Sequence, residues 1–320
     1  MWKRKEFFVF FHHCPLGNIH TIITFTMERI FEYQITAKEN GNTLLSFLRA
    51  NGYSRHILAQ LKKEPDSILL NGEVRFASTI LKEGDRITVH LAEEASSPIP
   101  PVKLPFSIAY EDPDLLVVNK PADMPIHPSV NNHGNTLANA LAFHYQEQGK
   151  EFVFRCINRL DRDTSGLLVL AKNALSGALL SDMSAKHALN RQYLAIVKGK
   201  TPPSGSISAP IGRRAGSVLM RCVDFEHGQS AVTHYERLDY RKGLSLLRVR
   251  LSTGRTHQIR VHLGFLGYPL IGDFLYYPDM ERITRQALHS HQLSFLHPIT
   301  GEVLCLTAPL PPDMEQAFYG

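Results

Sequence analysis

Between positions 96 and 105 the chain reads SSPIPPVKLP. Proline fixes φ and removes a backbone donor, so four prolines in ten residues exclude a helix or a central strand across this stretch. The segment is expected to be an extended linker. What lies on either side must complete its own packing, which divides 320 residues into a small unit, 28–95, and a larger one, 106–320.

The small unit reads as strand, helix, helix and short strands. IFEYQIT alternates apolar and polar residues, as a half-buried strand does. Thr43 to Arg49 has helical apolar spacing, and Ser54 stands where an N-cap would for a second helix, Arg55 to Lys63. Ile68 to Leu70 runs into Asn71-Gly72, the strongest short-range hairpin signal, and RITVHL forms a further strand after Gly84-Asp85.

Nine basic and ten acidic residues leave this unit at −1, within a chain whose net charge is +5. Its cations are nonetheless bunched: Arg49, Arg55, Lys62 and Lys63 fall within the two helices. A local basic face can grip phosphates on a neutral domain, although a solvated helix face accounts for the same residues.

The larger unit mixes short strands (DLLVVNK, GLLVLAK, RQYLAIVKGK, AVTHYERLDY, LSLLRVRLS) with helical patches at 136–148, 174–187 and 257–266. Hairpins with intermittent helices point to an α+β fold on a largely antiparallel sheet. Four dispersed cysteines give no CxxC pair, so reduced thiols and a cytoplasmic location are expected. No run of eighteen apolar residues is long enough to span a membrane. The apolar patch Phe7 to Phe11 is interrupted by His12, His13 and Pro15 before it reaches the length of a signal-peptide core. Residues 1–27 are expected to lie outside the fold, as a disordered extension or a mis-assigned start before Met27.

Two segments carry the chemistry. Asn158-Arg159-Leu160-Asp161-Arg162-Asp163-Thr164-Ser165-Gly166 places two aspartates and two arginines directly before an apolar strand. Charges packed there cost desolvation energy unless paired, so the segment is a salt-bridged turn or an active-site loop. A phosphotransferase Asp-x-Asp motif fits poorly, because its strand precedes the aspartates and Thr164 falls one residue early.

The second segment, Leu251 to His262, closes one strand and opens a helix for which Thr256 offers an N-cap. Arg255 sits beside that helix start, which favours a carboxylate or phosphate partner nearby. Neither the pair His257 and His262 nor the pair His289 and His291 has further ligands at metal spacing. No metal is expected, and most of the sixteen histidines read as hydrogen-bonded or solvated.

In order along the chain stand Asn119-Lys120-Pro121-Ala122 with Pro125 and His127-Pro128; Arg159-Leu160-Asp161 with Thr164-Ser165-Gly166; Gln192-Tyr193-Leu194-Ala195; Leu251 to His262; and Gly272-Asp273 with Tyr276, Leu288-His289 and His297-Pro298. This ordered set resembles the RluA-type RNA pseudouridine synthases. Two positions depart from the family pattern: Asn158 where His is frequent, and Ser290 where Ala is common. The small unit resembles the α-L RNA-binding module named for a small-subunit ribosomal protein. That raises the helix cations Arg49, Arg55, Lys62 and Lys63 to candidate RNA contacts.

The resemblance implies an enzyme that flips a uridine out of structured RNA, breaks its glycosidic bond, turns the uracil and rejoins it through C5. It implies Asp161 as the catalytic carboxylate, Arg255 as its ionic partner, and Tyr193 stacked on the flipped base. Leu251 would pack on the other side of the base, and Arg159 would fill the vacated space or hold its phosphate. Lys120 and Arg260 are weaker substrate-binding candidates, for phosphate contact or loop support. Asp163 reads as a turn carboxylate capping backbone N–H groups. No cofactor is implied. Ribosomal RNA is the favoured partner with transfer RNA as the alternative, and the protein is expected to be a monomer.

Overall fold

The computed structural model describes residues 28–93, 99–129 and 132–320, so the expectation for 1–27 lies outside the described residues. The first unit runs β1 (Glu28–Gln34), α1 (Leu44–Ala50), α2 (Arg55–Leu61), β2 (Ile68–Leu70), β3 (Glu73–Val74) and β4 (Arg86–Ala92). The second runs β5 (Ser107–Glu111), β6 (Leu115–Lys120), α3 (Leu137–Glu147), β7 (Arg155–Cys156), β8 (Ser165–Ala171), α4 (Ala174–Ala185), β9 (Asn190–Lys198), β10 (Ser204–Ser208), β11 (Ile211–Arg213) and β12 (Arg221–Val223). It continues through β13 (Val232–Arg241), β14 (Leu244–Leu251), α5 (Gln258–Phe265), β15 (Leu288–Leu296), β16 (Val303–Thr307) and α6 (Pro312–Tyr319).

The first unit forms an antiparallel four-stranded sheet in the order β1-β4-β2-β3. Ser54 caps α2 by accepting the Ile57 N–H, as its position in the sequence predicts, and Thr43, expected within the first helix, caps α1 by accepting the Ser46 N–H. Asn71 and Gly72 both adopt positive φ (53° and 83°), the pair of left-handed residues that a two-residue β2–β3 hairpin needs. Helix α2 ends at Leu61, two residues before the expected end, so Lys62 is its C-cap and Lys63 lies beyond it.

The second unit is built on a ten-stranded sheet whose main path is β10-β13-β14-β9-β15-β8-β6-β5. Among the described residues one pair is parallel, β15 with β8, and the others are antiparallel. The runs LLVVNK and SGLLVLA are apolar without alternation because the sheet is covered on both faces there. Leu116, Val118, Leu168 and Leu170 enter one core with Tyr193, Val249 and Ile259, while Leu115, Val117, Leu167 and Val169 enter another with Leu293 and Phe295.

At the start of β8, Gly166 has φ +110°, and a Cβ there would lie 2.2 Å from the Ser290 carbonyl oxygen. Only glycine lets β8 come this close to β15 and bring the 158–164 loop against the sheet.

The two units meet through α4. Leu175 joins the core of the first unit, with Ala178 and Leu179 packed at its edge. Two Arg29 nitrogens donate to the two Asp114 oxygens at 2.9 Å each. The Glu93 carboxylate pairs with Arg155 and accepts the Ala174 N–H at 2.7 Å. The stretch after Ile99 carries no helix or strand, and Pro100 and Val102 bond to Asn139 of α3.

Candidate active site

The 158–164 loop and the 251–260 segment stand far apart in the second unit's sequence, with Asp161 and Arg260 separated by 99 positions. They meet because β14 and β8 belong to one sheet with β9 and β15 between them. The cleft between them has a volume of about 760 Å³. Asp161, Arg159, Tyr193, Leu251, Arg255 and Arg260 all line it. Register explains the placement of Tyr193: it stands opposite Val249, two residues before β14 ends at Leu251.

The partner of Asp161 is Arg260. Its Nη1 donates to Asp161 Oδ2 at 2.9 Å, while Nε and Nη2 donate to the two oxygens of Asp273 at 2.7 Å each. This corrects the expected pairing with Arg255. The Arg255 side chain is exposed, and its Nε donates to the Ser230 carbonyl at 3.1 Å. The physical reason is helix phase: α5 begins at Gln258, and Arg260 lies on its inward face among residues that are all buried.

Burial works against the Arg260 charge. The Asp273 hydrogen bonds and the Asp161 carboxylate outweigh it, so the guanidinium is held above its ordinary pKa. Asp273 is also fixed by N–H groups, accepting from Leu275 and Tyr276 at 3.1 and 3.2 Å.

The start of α5 also differs from expectation. Thr256 does not cap it; the N-cap is His257, in the left-handed region with φ 57° and ψ 19°, and it makes no side-chain capping bond. Instead the Gln258 amide oxygen accepts from Arg255 N and Thr253 Oγ1, and its nitrogen donates to Val232 O and Thr233 Oγ1. A buried amide with both ends bonded closes this turn, and no spacing rule announces it. His257 Nδ1 lies 2.9 Å from Tyr276 Oη, and Nε2 lies 3.8 Å from Asp161 Oδ2. Burial lowers the His257 pKa, with Asp161 opposing it.

Tyr193 is 4% exposed, with burial raising its phenol pKa and the neighbouring Arg191 guanidinium opposing this. Arg191 lines the same cleft and was not singled out by any sequence pattern. Leu251 packs at the margin of the main core, and Arg159 is exposed in the cleft wall.

Of the two roles expected for Lys120, loop support fits and phosphate contact does not. Its side chain is fully buried, with Nζ donating to Pro121 O at 2.7 Å and to Arg162 O at 2.9 Å, so it holds the Asp161 loop from behind and does not reach a substrate phosphate. Arg260 likewise is committed to two carboxylates and leaves no fork for a phosphate. The Asp163 carboxylate accepts from the Arg162 side chain rather than from backbone N–H groups. Asn158, where the family pattern often has His, accepts the Val169 N–H at 2.9 Å and ties the loop to β8.

The histidines once weighed as metal ligands are engaged otherwise. His262 nitrogens meet Thr233 Oγ1 and Ala209 O, and His289 nitrogens meet Ser165 Oγ and Ala308 O. Elsewhere Asp112, Asp114 and His297 converge, but the Asp112 carboxylate accepts the Asp114 and Leu115 N–H groups and Tyr110 Oη, and Asp114 holds Arg29 and Asn173. That trio braces the contact between the two units.

Lys120 gives a stability test. Burial pushes its ammonium down to about 7, against an unfolded value near ~10.4. Between these values the unfolded chain binds more protons, so wild-type stability is expected to rise with pH, by up to ~1.4 kcal/mol per unit. Urea midpoints at pH 7, 8.5 and 10 should show that slope, and Lys120→Met should flatten it. Parallel slopes for the two proteins would contradict the buried-ammonium assignment.

Known proteins match this arrangement. The family model described as RNA pseudouridylate synthase matches residues 114–264. The RNA pseudouridine synthase YhcT of Bacillus subtilis (strain 168) is 39% identical over 290 residues, which cover 90% of this chain and 96% of the relative. A protein of Zymomonas mobilis named ribosomal large subunit pseudouridine synthase D is 39% identical over 259 residues, 77% of this chain and 82% of its own. Among solved structures, human RNA pseudouridylate synthase domain containing 1 superposes with a TM-score of 0.56 at 27% identity, covering 67% of this chain and 88% of that one. With these identities over most of both chains, and with the Asp161–Arg260 pair, Tyr193 and Leu251 gathered in one cleft, the chain belongs to the RluA-type RNA pseudouridine synthases and isomerises uridine in RNA.

Proposed function

We propose that this enzyme acts on uridines of a large structured RNA, with ribosomal RNA as the substrate, and that Asp161 is its catalytic carboxylate. The observation that carries the second part is the open cleft position of Asp161, its carboxylate held by a buried Arg260. The target nucleotide leaves the stack, since a ring cannot turn inside a helix. Asp161 then attacks ribose C1′ or takes the proton at C2′. Either way the C1′–N1 bond breaks, the uracil turns, C5 bonds to C1′, and the C5 proton is lost while N1 regains one. The base stacks on Tyr193, worth ~1–3 kcal/mol for an aromatic platform, and Leu251 closes its other side. Arg159, exposed beside Asp161, holds the flanking phosphate or fills the vacated stack.

Support for ribosomal RNA comes from the relatives named ribosomal large subunit pseudouridine synthase D. Transfer RNA is the alternative outcome. The experiment is to map pseudouridine across the RNA of a strain lacking the gene, then to restore the missing sites with purified enzyme. Loss confined to transfer RNA would overturn the ribosomal assignment, and no loss at any uridine would overturn the reading itself.

The first unit is the RNA grip, an α-L module in its order of strand, two helices and short strands. Arg49, Arg55, Lys62 and Lys63 are all exposed on its helical side. The protein works as a cytoplasmic monomer that presents this face and the cleft to one RNA. Arg49→Glu with Arg55→Glu is expected to weaken RNA binding at least ~10-fold at 0.1 M salt and to reduce the salt slope by ~2. Filter binding from 50 to 200 mM KCl measures both, and an unchanged slope would remove these residues from the interface.

A further inference from the structure

We propose that the Nε2–H of His257 binds the 2′-hydroxyl of the target ribose and makes the site selective for ribose over deoxyribose. The inference rests on the reading of Asp161 as the carboxylate acting on that sugar.

The hydrogen bonds favour one imidazole tautomer. Tyr276 Oη accepts the Arg221 backbone N–H at 2.8 Å. Its own proton is then free to point at His257 Nδ1, 2.9 Å away. A neutral ring that accepts at Nδ1 carries its proton on Nε2. Burial favours that neutral form. Tyr276 also packs edge-to-face on the ring, with centroids 5.7 Å apart at 83°, so the orientation is fixed from two directions.

Among the described residues Nε2 has no hydrogen-bond partner, and it faces Asp161 Oδ2 across 3.8 Å. That gap is too long for a hydrogen bond. It is short enough for one oxygen to sit within ~2.8 Å of both atoms. Such an oxygen must accept from Nε2–H and donate to a carboxylate. A hydroxyl does both, whereas a phosphate oxygen cannot donate.

Asp161 works at C1′ or C2′, and the hydroxyl carried by C2′ is adjacent to either atom. It is also the group that separates RNA from DNA. The backbone agrees with a constrained role. His257 holds φ 57°, a conformation that non-glycine residues keep only where surrounding contacts impose it.

The test compares two strands. Each is an oligonucleotide copying the segment around a uridine mapped as above, with either ribose or 2′-deoxyribose at that uridine. The ribose strand is followed by single-turnover half-saturation. The deoxy strand is followed as a competitive inhibitor, so its affinity is read whether or not it reacts. Wild type is expected to favour the ribose strand about 5- to 10-fold, the range of one net hydrogen bond. His257→Ala should weaken the ribose strand alone and cut the ratio by at least half, leaving what the hydroxyl's bond to Asp161 contributes. His257→Gln, which keeps an N–H at similar reach, should recover part of it.

Equal weakening of both strands would overturn the proposal and leave the ring a structural role. So would an unchanged ratio. Should His257→Ala fail to fold, Tyr276→Phe decides: it removes the proton that fixes the tautomer, and the ratio should fall by at least half. A wild-type enzyme that converts no mapped uridine would instead count against the reading of the site as a whole.

Discussion

Asp161→Asn is expected to abolish pseudouridine formation, by at least ~10³-fold, or about 4 kcal/mol of transition-state stabilisation. The substitution keeps the shape of the side chain and one oxygen that can accept from Arg260 Nη1. Arg260 retains both bonds to Asp273, so no buried charge is left alone. Thermal unfolding and RNA affinity should therefore stay near wild type. Only the negative oxygen that the proposed attack on C1′ or removal of the C2′ proton requires is lost. Counting pseudouridine in treated RNA by mass spectrometry measures the loss, and a variant within tenfold of wild type would remove Asp161 from the reaction.

The second large effect separates two arginines five positions apart. Arg260→Leu is expected to eliminate activity and to destabilise the protein by ~3–5 kcal/mol, because Asp273, 1% exposed, loses its charged partner. Arg255→Ala removes an exposed side chain bonded to one carbonyl, so stability should change by less than ~1 kcal/mol and activity by less than ~10-fold. A double variant sharpens the comparison. Arg260→Leu with Asp273→Leu no longer buries an unpaired carboxylate and should regain much of the stability. It should remain inactive, because Asp161 still lacks its cation. Recovery of activity together with stability would mean that the Arg260–Asp161 bond serves only folding.

Local structure was largely legible. The cap at Ser54, the Asn71-Gly72 hairpin and the apolar runs of β6 and β8 all stand where the spacing places them. Each rests on contacts within a few residues, which sequence order preserves. The antiparallel α+β character was legible for the same reason, although the parallel β15–β8 pair was not. That pair joins residues more than 120 positions apart, and Gly166 permits it by omitting one Cβ.

The site was legible in its membership and obscure in its wiring. Asp161, Tyr193, Leu251 and Arg159 line the cleft as the motif order implies. Lys120 was visible as a motif residue, yet its position behind the loop depends on β6 being covered on both faces. Arg191 carries no local pattern that marks it, and Asp273 stands in the Gly272-Asp273 motif with no role attached; the importance of both lies in what they touch.

By itself the sequence determined the α+β class, and its motif order carried the resemblance that implies the reaction and the aspartate at its centre, because these follow from residue identity and order. Which cation serves Asp161 was decided by tertiary structure. Arg255 and Arg260 are equivalent as sequence, but the left-handed turn at His257 starts α5 between them. One arginine is thereby left in solvent and the other rotated onto two carboxylates, 13 and 99 residues away along the chain. An ion pair across that separation exists only once the sheet has closed, and its strength comes from the exclusion of water that closure brings.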